Sequence, residues 1–241
     1  LTVFPVKPIS NLFRARQKII AAGREKADRL RLLVIGGGPA GCELTGNLQE
    51  LVRAEGISAD IVLVAGTRLL ANLPEAVRNR TRELLATEEL QLLEGVHVSR
   101  LQSHRAELDD GRIIDYDIAI VASGIGPNVP LEPGDLHSAD GLKVNRFLQS
   151  PFHPELFGAG DCIAFQPRPL ARVGVYAVRQ GPVLRQNLLA RLDQKSLTEF
   201  IPQKNYLLIF NLGLGRAVAT GYGLHWSGRS AGLLKSFLDR S

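Results

Sequence analysis

The sequence is poor in the residues that mark several common classes of protein. It has no methionine, one tryptophan and only two cysteines, Cys42 and Cys162. These form no CxxC pair, so a local redox dithiol is excluded; a long-range disulfide stays open, but two separate thiols are typical of a reducing, cytoplasmic setting. No apolar run approaches the roughly 20 residues of a membrane-spanning helix. The histidines lack metal-ligand spacing, and aromatic residues are not interleaved with the basic ones, so we expect neither a metal nor a nucleic-acid partner.

The net charge of +5 is unevenly distributed, with basic ends and an acidic middle. Ordinary solvated surface explains this pattern; the alternative is that both ends face an anion such as cofactor phosphates or a lipid surface. Residues 233–240 place apolar side chains on one face of a predicted helix. That face suits core packing or a homodimer contact, and alternatively peripheral contact with a membrane.

A glycine-rich segment follows the first strongly apolar run. Residues 32–35 (LLVI) predict a short strand, and residues 36–41 (GGGPAG) match the GxGxxG pattern. The first glycine permits a tight turn, the second lets the backbone approach a pyrophosphate, and the third lets helix and strand pack closely. The helix that follows directs amide donors and its dipole at a phosphate. The residues predicted to bind a dinucleotide are Gly36, Gly38, Pro39, Ala40 and Gly41.

The strand predicted at residues 60–65 ends without the Asp or Glu with which an NAD site usually holds the ribose hydroxyls. Arg68 follows this strand, and its guanidinium suits the 2′-phosphate of NADP. An exposed loop arginine is an equally good interpretation. The sequence therefore leaves the choice between NAD and NADP open.

Two further glycine motifs follow in a fixed order. Residues 123–128 (SGIGPN) come after a buried apolar run, and Gly124 there lets the backbone pass close to a cofactor. Residues 156–162 (LFGAGDC) include Gly160 and Asp161. The carboxylate of Asp161 suits the hydroxyls of a sugar-like chain; the alternative is that Asp161 caps a helix, and both can hold.

The order of apolar runs predicts an α/β fold. Residues 31–130 alternate strand, helix, strand, helix, β-meander and strand, which is typical of a doubly wound, Rossmann-like unit with a meander in place of one crossover. Before it, Ser10 is predicted to cap a helix over residues 9–27. After it, a strand at residues 156–159 that delivers Asp161 and a long helix at residues 173–192 predict a second, partial α/β unit.

The three glycine motifs, in this order and spacing, resemble those of the flavoproteins of the pyridine nucleotide–disulfide oxidoreductase class. Residues 36–44 (GGGPAGCEL) are similar to the nicotinamide motif of its type II NADH dehydrogenase-like branch, including Glu43. Residues 174–182 (GVYAVRQGP) resemble the helix beneath the flavin ring, and look closest to flavoprotein modules found alone or fused to selenide, water dikinase. The resemblance extends from Lys7 over essentially the whole chain.

This resemblance implies a role for each motif. The glycine loop would bind NAD or NADP, Asp161 would bind the ribityl chain of FAD, and Ala177 and Gln180 would lie near the isoalloxazine. Glu43 would lie where nicotinamide and flavin meet and assist proton transfer; a carboxylate favoured by the helix dipole is the alternative. Glu43 and Gln180 are thus the candidate catalytic residues.

The resemblance also divides the chain into four parts. Residues 1–30 would be a connector with a residual flavin-domain segment, and residues 31–130 the NAD(P)-binding domain. Residues 131–198 would be the C-terminal part of the FAD-binding domain, and residues 199–241 a C-terminal strand and helix segment. The family's other GxGxxG, which holds the FAD pyrophosphate, has no counterpart here, so we expect a part of a longer protein that by itself binds FAD poorly.

The function implied is that of an FAD-dependent NAD(P)H oxidoreductase. Hydride would pass from the nicotinamide to the flavin, and the electrons would continue to an acceptor such as a quinone. The protein would be cytoplasmic, with a peripheral membrane location as the alternative. The competing hypothesis is a non-enzymatic or regulatory nucleotide-binding module associated with selenophosphate synthesis.

Overall fold

A computed structural model describes residues 2–26, 28–124, 137–138 and 140–228. The chain forms two compact units, the first comprising Leu1–Gly124 with Leu207–Ser241, and the second Ile125–Tyr206. This division into two units does not test the four functional parts inferred from the sequence, which stay a prediction. No helix in the described ranges is long and apolar enough to cross a membrane.

The first unit is built on a parallel sheet. Its elements up to Gly124 are, in chain order, β1 (Val3–Pro5), α1 (Ser10–Glu25), β2 (Leu30–Ile35), α2 (Pro39–Ala54), β3 (Ala59–Val64), α3 (Glu75–Leu85), β4 (Leu90–Leu93), β5 (Val98–Gln102), β6 (Arg105–Leu108), β7 (Ile113–Asp115) and β8 (Ile118–Val121). In the described residues the sheet order is β1-β8-β2-β3-β4, with every pairing parallel, while β5-β6-β7 form a separate antiparallel sheet. The Rossmann-like α/β fold with a meander is therefore confirmed.

The burial of the central strands explains why they formed uninterrupted apolar runs in the sequence. Strand β2 is buried at all positions except Arg31, and β3 is buried at all except Asp60 and the half-buried Val62. A parallel sheet covered on both faces needs apolar side chains at consecutive positions. Both strands end at the same edge of the sheet, where the glycine loop and the loop after β3 begin.

Two local expectations for the first unit are wrong. Ser10 is the first residue of α1 rather than its cap; Ile9 takes the N-cap position and makes no side-chain capping bond. The side-chain amide of Asn11 instead donates to the carbonyls of Pro5 and Lys7. Strand β4 was not predicted, because its Leu-Gln-Leu-Leu sequence is as typical of a helix as of a strand.

The second unit contains β9 (His137–Ser138), β10 (Gly141–Val144), β11 (Ile163–Phe165) and α4 (Gly174–Leu192). The strands form a sheet in the order β11-β10-β9, and α4 confirms the long helix predicted there. The strand predicted at residues 156–159 is wrong: Phe157 makes an isolated bridge with Gln149. Asp161 consequently lies in a 3-10 turn, Gly160–Cys162, that precedes β11 rather than ending a strand, and Asp161 is not the cap of that turn.

The remaining described part of the first unit is an antiparallel sheet of β12 (Leu208–Asn211), β13 (Ala217–Gly221) and β14 (Leu224–Gly228). Strand β14 was not predicted. The segment after β12 approaches α2 so closely that a Cβ on Gly46 would lie well under 3.0 Å from the carbonyl group of Leu212. The amphipathic helix predicted at residues 233–240 lies outside the described residues.

A cluster of charges joins the start of β8 to the start of β2. Asp117 pairs with Lys26 and Arg31, and also accepts the backbone N–H of Arg31 at 2.7 Å. Partial burial of Asp117 favours a higher pKa for its carboxyl group. The hydrogen bonds from Lys26 and Arg31 have the larger combined effect and lower this pKa to about 2, from an ordinary value of 3.8.

Replacing Asp117 by asparagine should therefore lower the free energy of unfolding at pH 7 by about 2 kcal/mol, the equivalent of this pKa difference. A carboxylate with a lowered pKa stabilises the fold above its unfolded-state pKa, and this contribution disappears as the pH falls through the folded-state pKa. Urea titrations from pH 7 to pH 2 should show the difference from wild type closing between about pH 4 and pH 2. A constant difference across that range would contradict this explanation.

Candidate nucleotide-binding site

The three motif glycines, two of them in the loop between β2 and α2 and one in the first turn of α2, serve different packing purposes. Gly36 has φ +126°, and a Cβ there would overlap the carbonyl group of Ala122. A Cβ on Gly41 would lie far inside contact distance of the carbonyl oxygen of Gly36. Around Gly38, in contrast, no atom of the described residues other than its chain neighbours lies within 4 Å of the position a Cβ would take. Two glycines thus permit close backbone packing, and the third leaves open space beside the loop.

The N-terminus of α2 faces this space without a side-chain cap. Gly38 is the N-cap residue, Pro39 begins the helix, and the first turn contains no acidic residue. The free N–H groups of a helix start, together with its dipole, attract anions. Since no side chain of the loop satisfies these donors, the helix start fits a pyrophosphate.

A cavity of about 410 Å³ adjoins the glycine loop. The loop after β3 and the start of the meander form its other walls, and no carboxylate lines it in the described part of the chain. The lining residues are Ile35, Gly36, Gly37, Gly38, Val64, Ala65, Gly66, Thr67, Arg68, Ala71, Asn72, His97, Val98 and Ser123. Of the residues predicted to bind a nucleotide, the structure thus brings Gly36, Gly38 and Arg68 to one cavity, whereas Pro39, Ala40 and Gly41 do not line it.

The loop after β3 is fixed by hydrogen bonds on both sides. The N–H of Leu70 donates to the carbonyl of Gly37 at 2.7 Å, and the N–H of Leu69 donates to Glu94 at 2.6 Å. Partial burial would raise the pKa of Glu94, but the bonds from Leu69 and Arg82 lower it, so this carboxylate stays ionised. The backbone that directly follows Arg68 is therefore held in place.

His97 is a residue of this cavity that the sequence did not reveal. Its Nδ1 lies 3.2 Å from Oδ2 of Asp109, and its backbone N–H donates to Oδ1 of the same carboxylate. These hydrogen bonds, the backbone one foremost, lower the pKa of Asp109. The two residues are brought together by the meander, and 12 residues separate them in sequence. No local motif predicts this pair.

Glu43 and Cys42 lie on α2 but do not line the cavity. An oxygen of Glu43 accepts the N–H of Asn211 at 2.8 Å, which fixes the end of β12 against the helix. Cys42 is fully buried, and burial, with a smaller effect of Glu43, raises the pKa of its thiol to about 12. Cys42 is therefore an inert core thiol, and both cysteines are free.

The second unit brings together the other group of predicted site residues. Oε1 of Gln180 accepts the N–H of Gly160 at 2.6 Å, and Gln180 is only 1% exposed. Gly160 has φ +79° and packs over the Cβ of Ala177. Asp161 is half-buried in the same turn, and the oxygen of Gln180 is occupied within the protein. Gly124, with φ +144°, ends the described range 28–124 and does not line the cavity.

A parallel sheet with a glycine loop, an uncapped helix start and an adjoining cavity defines a dinucleotide-binding protein of the Rossmann class. The family of pyridine nucleotide-disulphide oxidoreductases matches residues 11–181 of the chain. The chain therefore belongs to this family, whose members use FAD and a nicotinamide dinucleotide.

Curated relatives agree with this assignment. The chain is 28% identical over 207 residues to ferroptosis suppressor protein 1 of Taeniopygia guttata, covering 79% of this chain and 52% of the relative. It is 30% identical over 167 residues to a nitric oxide reductase FlRd-NAD(+) reductase of Aeromonas hydrophila, covering 67% and 40%. It is 24% identical over 173 residues to an internal alternative NAD(P)H-ubiquinone oxidoreductase of Solanum tuberosum, covering 66% and 35%. The chain thus spans about half or less of the length of these relatives.

Among solved structures, NDH2 of Plasmodium falciparum in complex with NADH superimposes with a TM-score of 0.81 at 15% identity, covering 98% of this chain and 68% of that one. At this identity the likeness establishes the fold alone. The comparisons give no support to the resemblance to modules fused to selenide, water dikinase.

Proposed function

We propose that this chain is the nucleotide-binding portion of an FAD-dependent NAD(P)H oxidoreductase. The observation that carries the proposal is the cavity beside Gly38, where the helix start is uncapped and no side chain of the described residues fills the space. An alanine there would remove the room that a pyrophosphate needs. Membership in a family that uses FAD and NAD(P)H supports the same proposal.

The chain contributes to the reaction by positioning the nucleotide and the flavin. The amides at the start of α2 would hold the pyrophosphate, and the rigid loop after β3 would hold the adenosine end. When bound, FAD supplies the hydride acceptor. Asp161 would bind the polyol chain of the flavin, and Gly124 would let the backbone pass close to a cofactor.

Glu43 and Gln180 receive different roles in this proposal. Because its side chain is buried against Gly160, Gln180 acts as a positioning residue that holds the turn containing Asp161. Glu43 is the candidate for assisting proton transfer, although its known contact is with the backbone of Asn211. Both assignments remain proposals.

A quinone is the proposed acceptor. Support comes from the relative named as an NAD(P)H-ubiquinone oxidoreductase. A quinone acceptor would be compatible with peripheral contact with a membrane, for which residues 233–240 offer an amphipathic sequence. The homodimer likewise remains a prediction.

The proposal is tested on the protein in its full natural length. We expect visible absorbance bands of a bound flavin that disappear when NADH or NADPH is added without oxygen, with dithionite as the control for complete reduction. A flavin that dithionite bleaches and neither nucleotide does would contradict the proposal. A colourless protein that still binds nucleotide would favour the non-enzymatic or regulatory module instead.

A further inference from the structure

Basic side chains line the end of the cavity away from the glycine loop, and the carboxylate of Asp109 contacts the ring of one of them, His97. Arg68 and His97 are the ionisable side chains that line the cavity, and no Asp or Glu of the described residues joins them. Resting on the proposed function, we infer that this end recognises the 2′-phosphate of NADP(H), with Arg68 and His97 as the specificity-determining residues. The substrate is accordingly NADPH in preference to NADH.

The position after β3 decides between the two nucleotides in Rossmann folds. NAD sites place a carboxylate there, which accepts hydrogen bonds from the ribose hydroxyls and repels a 2′-phosphate. Here the strand is followed by Ala65, Gly66 and Thr67, none of which carries a carboxylate. At this position the chain thus lacks the carboxylate that both favours NADH and excludes NADPH.

Arg68 is available to bind a phosphate. Its side chain is exposed beside the cavity, and no hydrogen bond or ion pair engages its guanidinium in the described part of the chain. Its neighbour Leu69 is fully buried and hydrogen-bonded to Glu94, so the backbone beneath the guanidinium is fixed. A planar donor group on a fixed backbone is well suited to bidentate phosphate contacts.

His97 faces the same loop from the opposite wall. Its Nε2 lies 3.2 Å from the position that a Cβ on Gly66 would take, so the ring covers this glycine. Gly66 has φ +70°, and its carbonyl accepts the N–H of Gly95 at 2.7 Å, which joins the loop to the start of the meander. Since Asp109 engages Nδ1, Nε2 is the nitrogen left for a ligand, and it donates when the ring is protonated.

The test compares pairs of nucleotides that differ only in the 2′-phosphate. Isothermal titration of the full-length protein should show 2′,5′-ADP binding at least about tenfold tighter than 5′-AMP, and NADP⁺ tighter than NAD⁺ by a similar factor, as expected for charge-assisted hydrogen bonds. Arg68→Ser should remove most of this preference while leaving 5′-AMP affinity within about twofold. His97→Asn should reduce it severalfold.

Arg14→Ser is the matched control, since it removes the same charge from an exposed position on α1. Nucleotide preference should be unaffected in this variant. Equal affinity of the wild-type protein for 2′,5′-ADP and 5′-AMP, or an unchanged preference in a folded Arg68→Ser variant, would overturn the inference. Failure to bind any of the four nucleotides would instead overturn the proposed function.

Discussion

Replacing Gly41 by alanine should unfold or severely destabilise the first unit. The new methyl group would fall on the carbonyl oxygen of Gly36, a backbone atom that cannot turn away as a side chain can. Overpacking in a rigid core costs about 1–3 kcal/mol and occasionally more, and a backbone obstacle belongs at the upper end of that range. Urea unfolding should show a loss of about 3 kcal/mol or more, and nucleotide binding should be lost together with the fold.

Gly38→Ala is the matched variant in the same loop. Gly38 has φ −77°, which alanine adopts without strain. Apart from its chain neighbours, no atom in the described ranges lies within 4 Å of its new Cβ, so stability should be unchanged or slightly raised. The methyl group would project into the space assigned to the pyrophosphate, and NADP⁺ affinity should fall about tenfold or more. A stable Gly41→Ala protein, or a Gly38→Ala protein with full affinity, would contradict the roles given to these glycines.

Replacing Gly46 by alanine should detach the β12–β14 sheet from α2. A Cβ on Gly46 would overlap the carbonyl group of Leu212, and a Cβ on Gly213 would overlap that of Gly46 in return. Helix and strand segment thus touch backbone to backbone, and a methyl group must push them apart. We expect a loss of about 3 kcal/mol in the free energy of unfolding and faster proteolytic cleavage after residue 206.

Asn47→Ala provides the control for this effect, because Asn47 is the exposed neighbour of Gly46 on the same helix. Its substitution should change stability by less than about 0.5 kcal/mol and leave the cleavage pattern unaltered. If the two variants behaved alike, the close approach of α2 to the segment after β12 would not be important for the fold.

The sequence predicted the parts of the site that depend on local backbone geometry. The apolar run at residues 32–35 and the glycines after it specify a strand, a tight turn and a helix start, and each requirement is visible within a few residues. The buried β3 and the long α4 were predictable for the same reason. These elements also carry the α/β fold and the position of the glycine loop.

What the sequence could not reveal depends on contacts between distant residues. His97 enters the cavity because the meander turns it towards Gly66, and Glu43 meets Asn211 across 168 positions of sequence. The strand expected at residues 156–159 failed because its apolar residues pack without a partner strand, apart from one bridge at Phe157. In each case the deciding interaction is a tertiary contact, which the periodicity of apolar residues in the sequence does not indicate.

Hydrogen exchange in the presence of NADP⁺ tests the central claim most directly, because it locates the bound nucleotide on the chain. The account predicts slower amide exchange in residues 36–42 and residues 65–72, and no change in the hairpin between β6 and β7. Saturating nucleotide that protects neither of these two segments, or that protects only segments remote from the cavity beside Gly38, would contradict it.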